Sequence, residues 1–332
     1  MNKEPVDFKS LGFPTKETYE FPNIVNVQVY SGNCPCSCVH CPVGTTEPAK
    51  RRERFGDKGM DLELYRKIVE EITQHPHSSL RVHSAGEPLL WADLVRALEL
   101  TREKSVRSWI FTCAVTNDKS LLEAICDNTN IVEVSVNSTN PEDYSATKGV
   151  NAFNLVADNI RYMHDHIKGR GIPTRLIVSR VQSLNRAADE EFVKYWKSTG
   201  LVDDVFVRTY HTYNDLLEKL LLGEKTEHEP CLVHWARFNI GVDGYAVVCF
   251  NELFKEKLDS SLILGDMNKQ TIAEIWHGPK LTALRRAELS SDYSNLPFGE
   301  ALPCKDCSSC QPLSGNRQTS EYQVRQLRGG EK

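Results

Sequence analysis

The chain has 332 residues, 40% hydrophobic and 26% charged, with a net charge of −5. That length implies about two domains of ~150 residues each and allows a substantial core, while the mild negative charge argues against nucleic acid or an anionic membrane as a bulk electrostatic partner. No long uncharged apolar run marks a transmembrane helix, and Met1–Pro5 has no apolar signal region, so a cytoplasmic protein is expected.

From residue 24 onward strand and helix patterns alternate. Ile24–Tyr30 alternates Val25, Val27 and Val29 with Asn26 and Gln28, a strand signal. Asp61 can cap a helix whose apolar face is Leu64, Tyr65, Ile68, Val69 and Ile72. Leu80–His83 is a second strand, Trp91–Glu103 a helix, Ser108–Val115 a third strand, Ser120–Cys126 a helix and Ile131–Asn137 a fourth strand. Phe153–Ile167 (helix), Thr174–Val181 (fifth strand), Asp189–Lys197 (helix) and Asp204–Thr209 (sixth strand) follow. Six β-α repeats imply an α/β fold with parallel strands and right-handed crossovers, too few for a closed eight-fold barrel. From about residue 212 the alternation stops. Phe238–Cys249 reads as a hairpin turning at Asp243-Gly244; Thr271–His277 and Pro279 to about Leu289 read as helices. Residues 311–332 are polar and are expected to fray.

Eleven cysteines in a chain expected in the cytosol read as metal ligands and reactive thiols rather than disulfides. Cys34, Cys38 and Cys41 are spaced C-x₃-C-x₂-C directly after the first strand. Three thiolates can hold one face of a cubane iron–sulfur cluster and leave one iron open for chemistry. A zinc knuckle or disulfide loop fits less well, because only one C-x₂-C exists locally. Cys36 lies inside the loop, outside this spacing. The run resembles the radical S-adenosylmethionine (radical SAM) superfamily, in which the open iron chelates SAM. The resemblance implies a partial (β/α)₆ TIM barrel, open on one side, for residues 24–211, after an N-terminal extension of residues 1–23.

Cys231 and Cys249, with Gly244 five positions before Cys249, are followed by Cys304, Cys307 and Cys310. Four thiolates can close a second [4Fe–4S] cluster; a structural zinc is the other reading. The pattern resembles the auxiliary-cluster extension of radical SAM enzymes, the SPASM domain or its shorter twitch form, over residues 212–310, with a tail at 311–332. Five late cysteines suffice for one cluster, held by Cys231, Cys249, Cys304 and Cys307, with Cys310 the rival for the fourth place.

The resemblance also implies SAM contacts. Ser84-Ala85-Gly86-Glu87-Pro88 departs from the family's Gly-Gly-Glu-Pro at its first glycine but keeps Gly86 and Glu87, at an edge that meets the SAM amino group. Ser135 and Asn137 match positions that contact the ribose, and Arg180 could hold the carboxylate. Lys50–Arg54 reads as a solvated charge run rather than a phosphate clamp, and His40 and His83 read as local structural residues. Arg208 and Tyr210 end the sixth strand at the barrel mouth, where substrate groups come from.

The family's chemistry begins when a flavodoxin- or ferredoxin-type reductant supplies an electron. SAM is cleaved to methionine and a 5′-deoxyadenosyl radical, which abstracts a substrate hydrogen. Three outcomes stay open: oxidation with the auxiliary cluster as electron acceptor, epimerisation with a thiol such as Cys113 or Cys310 as hydrogen donor, and maturation of a ribosomal peptide. Only 33 residues precede Cys34, too few for a peptide-binding domain. Oxidation of a small, carbohydrate-like substrate is the leading expectation, by resemblance to twitch-type dehydrogenases.

Overall fold

A computed structural model describes residues 7, 9, 11–213, 216–217, 230–294, 296–298, 302–307 and 310–311. The expected tail from residue 312 lies outside the described residues.

The chain opens with a short helix, α1 (Lys16–Glu20), whose N-terminus is closed by a capping box between Thr15 and Thr18. β1 (Ile24–Ser31) is buried along its whole length. Next come α2 (Pro42–Thr45), α3 (Pro48–Phe55) and β2 (Lys58–Gly59), which pairs antiparallel with the end of β1. Asp61 caps α4 (Leu62–Thr73), accepting from the Glu63 and Leu64 amides. The remaining repeats are β3 (Ser79–Ala85), α5 (Leu94–Glu103), β4 (Ser108–Thr112), α6 (Lys119–Asn128), β5 (Ile131–Ser135), α7 (Pro141–Lys148), α8 (Phe153–Arg170), β6 (Arg175–Val181), α9 (Arg186–Ser198) and β7 (Asp204–Arg208). β1, β3, β4, β5, β6 and β7 are neighbours in that order, all parallel, which is the six-stranded partial barrel.

Strand parity sorts the side chains onto two faces. Val27, Val82 and Ile110 stand in register and join the core beneath the helices. Their neighbours Asn26, Arg81 and Trp109, also in register, fall on the other face. There Trp109, Ile131, Ile177 and Phe206 form a small apolar cluster of their own, with Phe111 against it. Above it the buried Glu133 carboxylate takes two bonds from Arg208, 3.0 Å from Nε and 2.5 Å from Nη2.

The C-terminal part has α10 (Leu232–Ala236), β8 (Arg237–Ile240), β9 (Tyr245–Val247), β10 (Ile263–Asp266), α11 (Ile272–Trp276) and α12 (Pro279–Ser290). The Asp243-Gly244 turn joins β8 to β9, with Gly244 at φ +86°, a left-handed position that favours glycine. β8 lies parallel to β1, with Asn239 opposite Asn26 and their side-chain amides 2.8 Å apart. One sheet of ten strands therefore runs from β10 to β7. The sequence showed where the alternation stops, yet the hydrogen-bonded ladder continues across that point. Gln28 adds a second tie: it donates to Leu253 O (2.9 Å) and accepts from the Val242 amide (3.0 Å). None of the described helices is long and apolar enough to cross a membrane.

Glu71 of α4 reaches across to α11, accepting from the Ile272 amide at 2.8 Å and the Ala273 amide at 2.9 Å. It serves as a capping carboxylate borrowed from another helix. Glu71→Ala leaves both donors without it and is expected to cost about 1–2 kcal/mol. Equilibrium urea unfolding of the metal-free protein measures this; a loss below about 0.3 kcal/mol would show that the cap contributes nothing.

Candidate active site and auxiliary metal centre

The first cysteine loop leaves the C-terminal end of β1 and is held from three sides. Gly32 donates its amide to Ala85 O (2.8 Å), and the Glu87 amide donates to Asn33 O (3.0 Å). A Cβ on Gly86, at φ +146°, would stand 2.5 Å from Asn33 O, so only glycine allows this approach. On the far side the Ser37 and Val39 amides donate to Lys148 O (2.7 Å) and Thr147 O (3.1 Å) at the end of α7. From α3, Arg51 reaches into the loop. It donates to Cys34 O (2.8 Å), Thr46 O (3.1 Å), Gly44 O (3.3 Å) and the Ser37 hydroxyl (2.6 Å). Arg51 is 2% exposed, which corrects the reading of Lys50–Arg54 as a wholly solvated run: a helix turns one of its cations inward.

Cys34, Cys38 and Cys41 all line a cavity of about 240 Å³ in the barrel mouth. Cys36 is fully buried, and its thiol lies with those of Cys34 and Cys113 within 4.8 Å of one another. Hydrogen bonds from Cys113 and Cys36 lower the Cys34 thiol to about 5. A hydrogen bond with Cys36 and burial push Cys38 up to about 11, and burial above all does the same to Cys41. Lys148 is 2% exposed, beside these thiols, with Nζ 3.1 Å from Ser135 Oγ. Burial disfavours its charge, but the neighbouring thiolates prevail and hold it protonated. Three thiols lining one cavity, with a buried cation lining it beside them, fit an anionic cluster with one face open.

The residues expected to contact SAM divide into two groups. Gly86, Glu87 and Ser135 line the same cavity as the cysteines. The Glu87 carboxylate accepts from Thr112 Oγ1 (2.6 Å), the Cys113 amide (2.8 Å) and the Leu89 amide (3.2 Å), tying β3 to the end of β4. Asn137 and Arg180 line a larger cavity of about 750 Å³ beside it, with Tyr210. His40 lines both cavities. Asn137 accepts from the Val181 amide (2.6 Å) and donates to Ser135 Oγ (3.1 Å), and Arg180 stands 3.0 Å from Asp189. Both side chains are thus already engaged within the barrel wall. Arg208 is bound to Glu133 in the barrel interior, as described above. His83, expected to be local and structural, lines the cavity, as do Asn26, Arg81 and Phe111, which the sequence did not single out. Their common signal is period 2: each lies on the non-valine face of β1, β3 or β4.

A second cavity is lined by Cys231, Cys249, Cys304, Cys307 and Cys310, with His211 and His234. Cys231 is lowered to about 6, chiefly by a hydrogen bond from Cys310. Burial keeps the Cys249 and Cys304 thiols raised. His234 Nε2 is 3.7 Å from Cys304 Sγ, and its Nδ1 is 2.7 Å from Glu288, which also accepts from Trp235 Nε1 at 2.8 Å. Five thiols around one small apolar cavity fit a fully ligated cluster. Cys307 and Cys310 both line it. Phe250 lines both this cavity and the one in the barrel mouth.

Residues 29–186 match the Radical SAM superfamily, and residues 231–311 match an iron–sulfur cluster-binding domain, SPASM. The chain belongs to the radical SAM superfamily and carries a C-terminal SPASM domain. It is an enzyme of that superfamily, and its cofactors are SAM, a SAM-binding [4Fe–4S] cluster and an auxiliary cluster. It is 22% identical over 288 residues to the S-adenosyl-L-methionine-dependent 2-deoxy-scyllo-inosamine dehydrogenase of Niallia circulans, covering 86% of this chain and 93% of the relative. Its fold is similar to that of BtrN in complex with AdoMet and 2-DOIA, with a TM-score of 0.55 and 19% identity, covering 89% of this chain and 96% of the other. It is also similar to SuiB of Streptococcus suis bound to precursor peptide SuiA, with a TM-score of 0.62 and 14% identity, covering 84% and 69%.

If Cys34, Cys38 and Cys41 hold the SAM cluster, changing all three to Ala should remove about one cluster's iron and abolish 5′-deoxyadenosine formation, while roughly four irons per chain stay behind. Anaerobic reconstitution followed by iron, zinc and nucleoside analysis tests both centres. SAM cleavage by the triple variant would refute the first ligand set; zinc without iron in that variant would refute the second.

Proposed function

We propose that this enzyme oxidises a hydroxyl-bearing carbon of a small, polar, carbohydrate-like molecule by two electrons. In this reading Cys34, Cys38 and Cys41 hold the SAM cluster. Cys231, Cys249 and Cys304, with Cys307 or Cys310, hold the auxiliary cluster, and a flavodoxin- or ferredoxin-type protein is the reductant. When bound, SAM and its cluster supply a 5′-deoxyadenosyl radical that takes one hydrogen atom, and the auxiliary cluster supplies an acceptor for the electron left behind. The substrate then loses two hydrogens: one leaves as an atom on 5′-deoxyadenosine, the other as the hydroxyl proton.

The observation that carries this reading is the shared wall. Phe250 lines both the barrel-mouth cavity and the five-thiol cavity, so the two centres of this reading share an aromatic wall across which an electron from a substrate radical could pass. The chain's own part is positional. Arg51 and Gly86 hold the cysteine loop against the cavity. Phe111, Phe254 and Tyr213 give that cavity apolar walls that limit competing solvent hydrogen donors. Similarity to a dehydrogenase over most of both chains supports the same reading.

Epimerisation is the second reading, because Cys113 also lines the barrel-mouth cavity, where a thiol could return a hydrogen atom. Product mass separates the two. Oxidation removes two hydrogens. Epimerisation leaves the mass unchanged in light water and adds one solvent deuterium in heavy water. The expected product is two mass units lighter than its substrate (the two lost hydrogens), with Cys113→Ala still active; deuterium wash-in at unchanged light-water mass would overturn oxidation.

A further inference from the structure

Beside the five-thiol cavity, α12 carries two buried charged side chains about one helical turn apart, Arg285 and Glu288, and both converge on His234. Arg285 holds the backbone. It donates from Nε to the His234 carbonyl (2.8 Å) and from Nη1 to Trp276 O (2.7 Å), with its guanidinium stacked 3.9 Å from the Trp276 ring centroid. Glu288 holds the ring. One carboxylate oxygen lies 2.7 Å from His234 Nδ1 and accepts from the Cys231 amide at 3.3 Å, and the other accepts from Trp235 Nε1 at 2.8 Å. With backbone and ring both fixed, the remaining nitrogen, Nε2, stands 3.7 Å from Cys304 Sγ. His234 lines the five-thiol cavity with that cysteine.

A guanidinium, a carboxylate and an imidazole are costly to desolvate together, and apolar side chains of similar volume would pack here without that cost. What they achieve is an aim: a second-shell partner fixes which way a histidine faces and which of its nitrogens donates. As a cluster ligand Cys304 offers only lone pairs, and the Glu288 carboxylate offers only lone pairs to Nδ1. Both ring nitrogens therefore face acceptors, an arrangement satisfied by a proton on each. A hydrogen bond to a cluster sulfur, and a positive charge close to the cluster, stabilise the reduced and more negative form and so raise its potential.

We propose that His234 is a positioning residue of the auxiliary cluster: held by Arg285 and Glu288, it donates Nε2–H to Cys304 Sγ and raises the potential at which the cluster takes up one electron. The inference rests on the proposed reading in taking Cys304 as an auxiliary ligand. It goes beyond that reading by naming the side chain that sets the driving force for electron uptake. A raised potential suits a centre that accepts an electron from a substrate radical.

Reconstitution of the full chain with Cys34, Cys38 and Cys41 changed to Ala leaves the auxiliary cluster as the centre to be read. A reductive titration followed by electron paramagnetic resonance gives its potential without turnover. His234→Leu removes both donor and charge. It should lower the potential by ~59 mV or more, a tenfold change in the equilibrium constant of a one-electron couple, while about four irons per chain are retained. His234→Gln keeps an N–H near the place of Nε2 without the charge and should fall between the two; it also decides the matter if the Leu variant does not fold. A potential unchanged or raised in the variants that hold iron overturns the proposal. Loss of the cluster's iron from both variants overturns it too, because His234 is then a ligand or a fold residue rather than a donor to a ligand. Zinc without iron in the parent chain refutes the auxiliary ligand set and this inference with it, whereas an unchanged potential refutes this inference alone. The mass of the product is a separate measurement, and neither result alters it.

Discussion

The structure turns on one buried cation. Arg51 gathers the carbonyl of Cys34 and the hydroxyl of Ser37, in a loop with little regular structure of its own, with the carbonyls of Gly44 and Thr46 at the end of the short α2. Such a loop has no ladder to satisfy its carbonyls, so it needs a multivalent donor. Arginine can aim several donors at once from a rigid plane, and lysine cannot. The same loop carries four cysteines between positions 34 and 41. Fixing the loop backbone from beneath leaves the thiols of Cys34, Cys38 and Cys41 on the cavity side. Glycines complete the arrangement where atoms would otherwise collide: a Cβ on Gly44 would run into the Cys38 backbone, and one on Gly149 would come within 2.7 Å of Ser37 Cβ.

The second constraint is the continuity of the sheet. β8 adds to the outer edge of β1 and so covers a row of backbone groups that would otherwise stay unpaired. Asn26–Asn239 and Gln28 then lock the side chains across that seam. The barrel-mouth cavity is built against this ladder, and Phe250, just after β9, is a wall of both cysteine-lined cavities.

The alternation of Val25, Val27 and Val29 made β1 legible, and five similar segments gave the six parallel strands. The cysteine loop was legible because its ligand candidates lie within eight residues of one another. What stayed hidden depends on contacts distant in sequence. α7 was missed because only Tyr144 and Lys148 of its eight residues are buried, too few to show a helical stripe. Lys148 was missed with it. Arg51 sits in Lys50-Arg51-Arg52-Glu53-Arg54, where composition says solvent and only the fold selects one residue to turn inward. α1, α2 and α10 have four or five residues each, below the length at which periodicity can be read. His83 and Arg81 are the instructive pair. Their alternation with Leu80 and Val82 was visible, but a polar face on a strand suggests solvent unless the sheet is known to curl around a cavity.

The β8–β1 seam also bears on how the protein is made. Asn239 trails its partner Asn26 by 213 positions. At translation rates of about 5–20 residues per second, the outer edge of β1 waits roughly 10–40 s on the ribosome before its covering strand exists. Throughout that interval an eight-residue strand of Ile24, Val25, Val27 and Val29 offers an unpaired rim to any other extended chain. The first strand of the barrel is thus among the last to have both its edges covered, and an unpaired rim of this kind is one that other extended chains can join until β8 arrives.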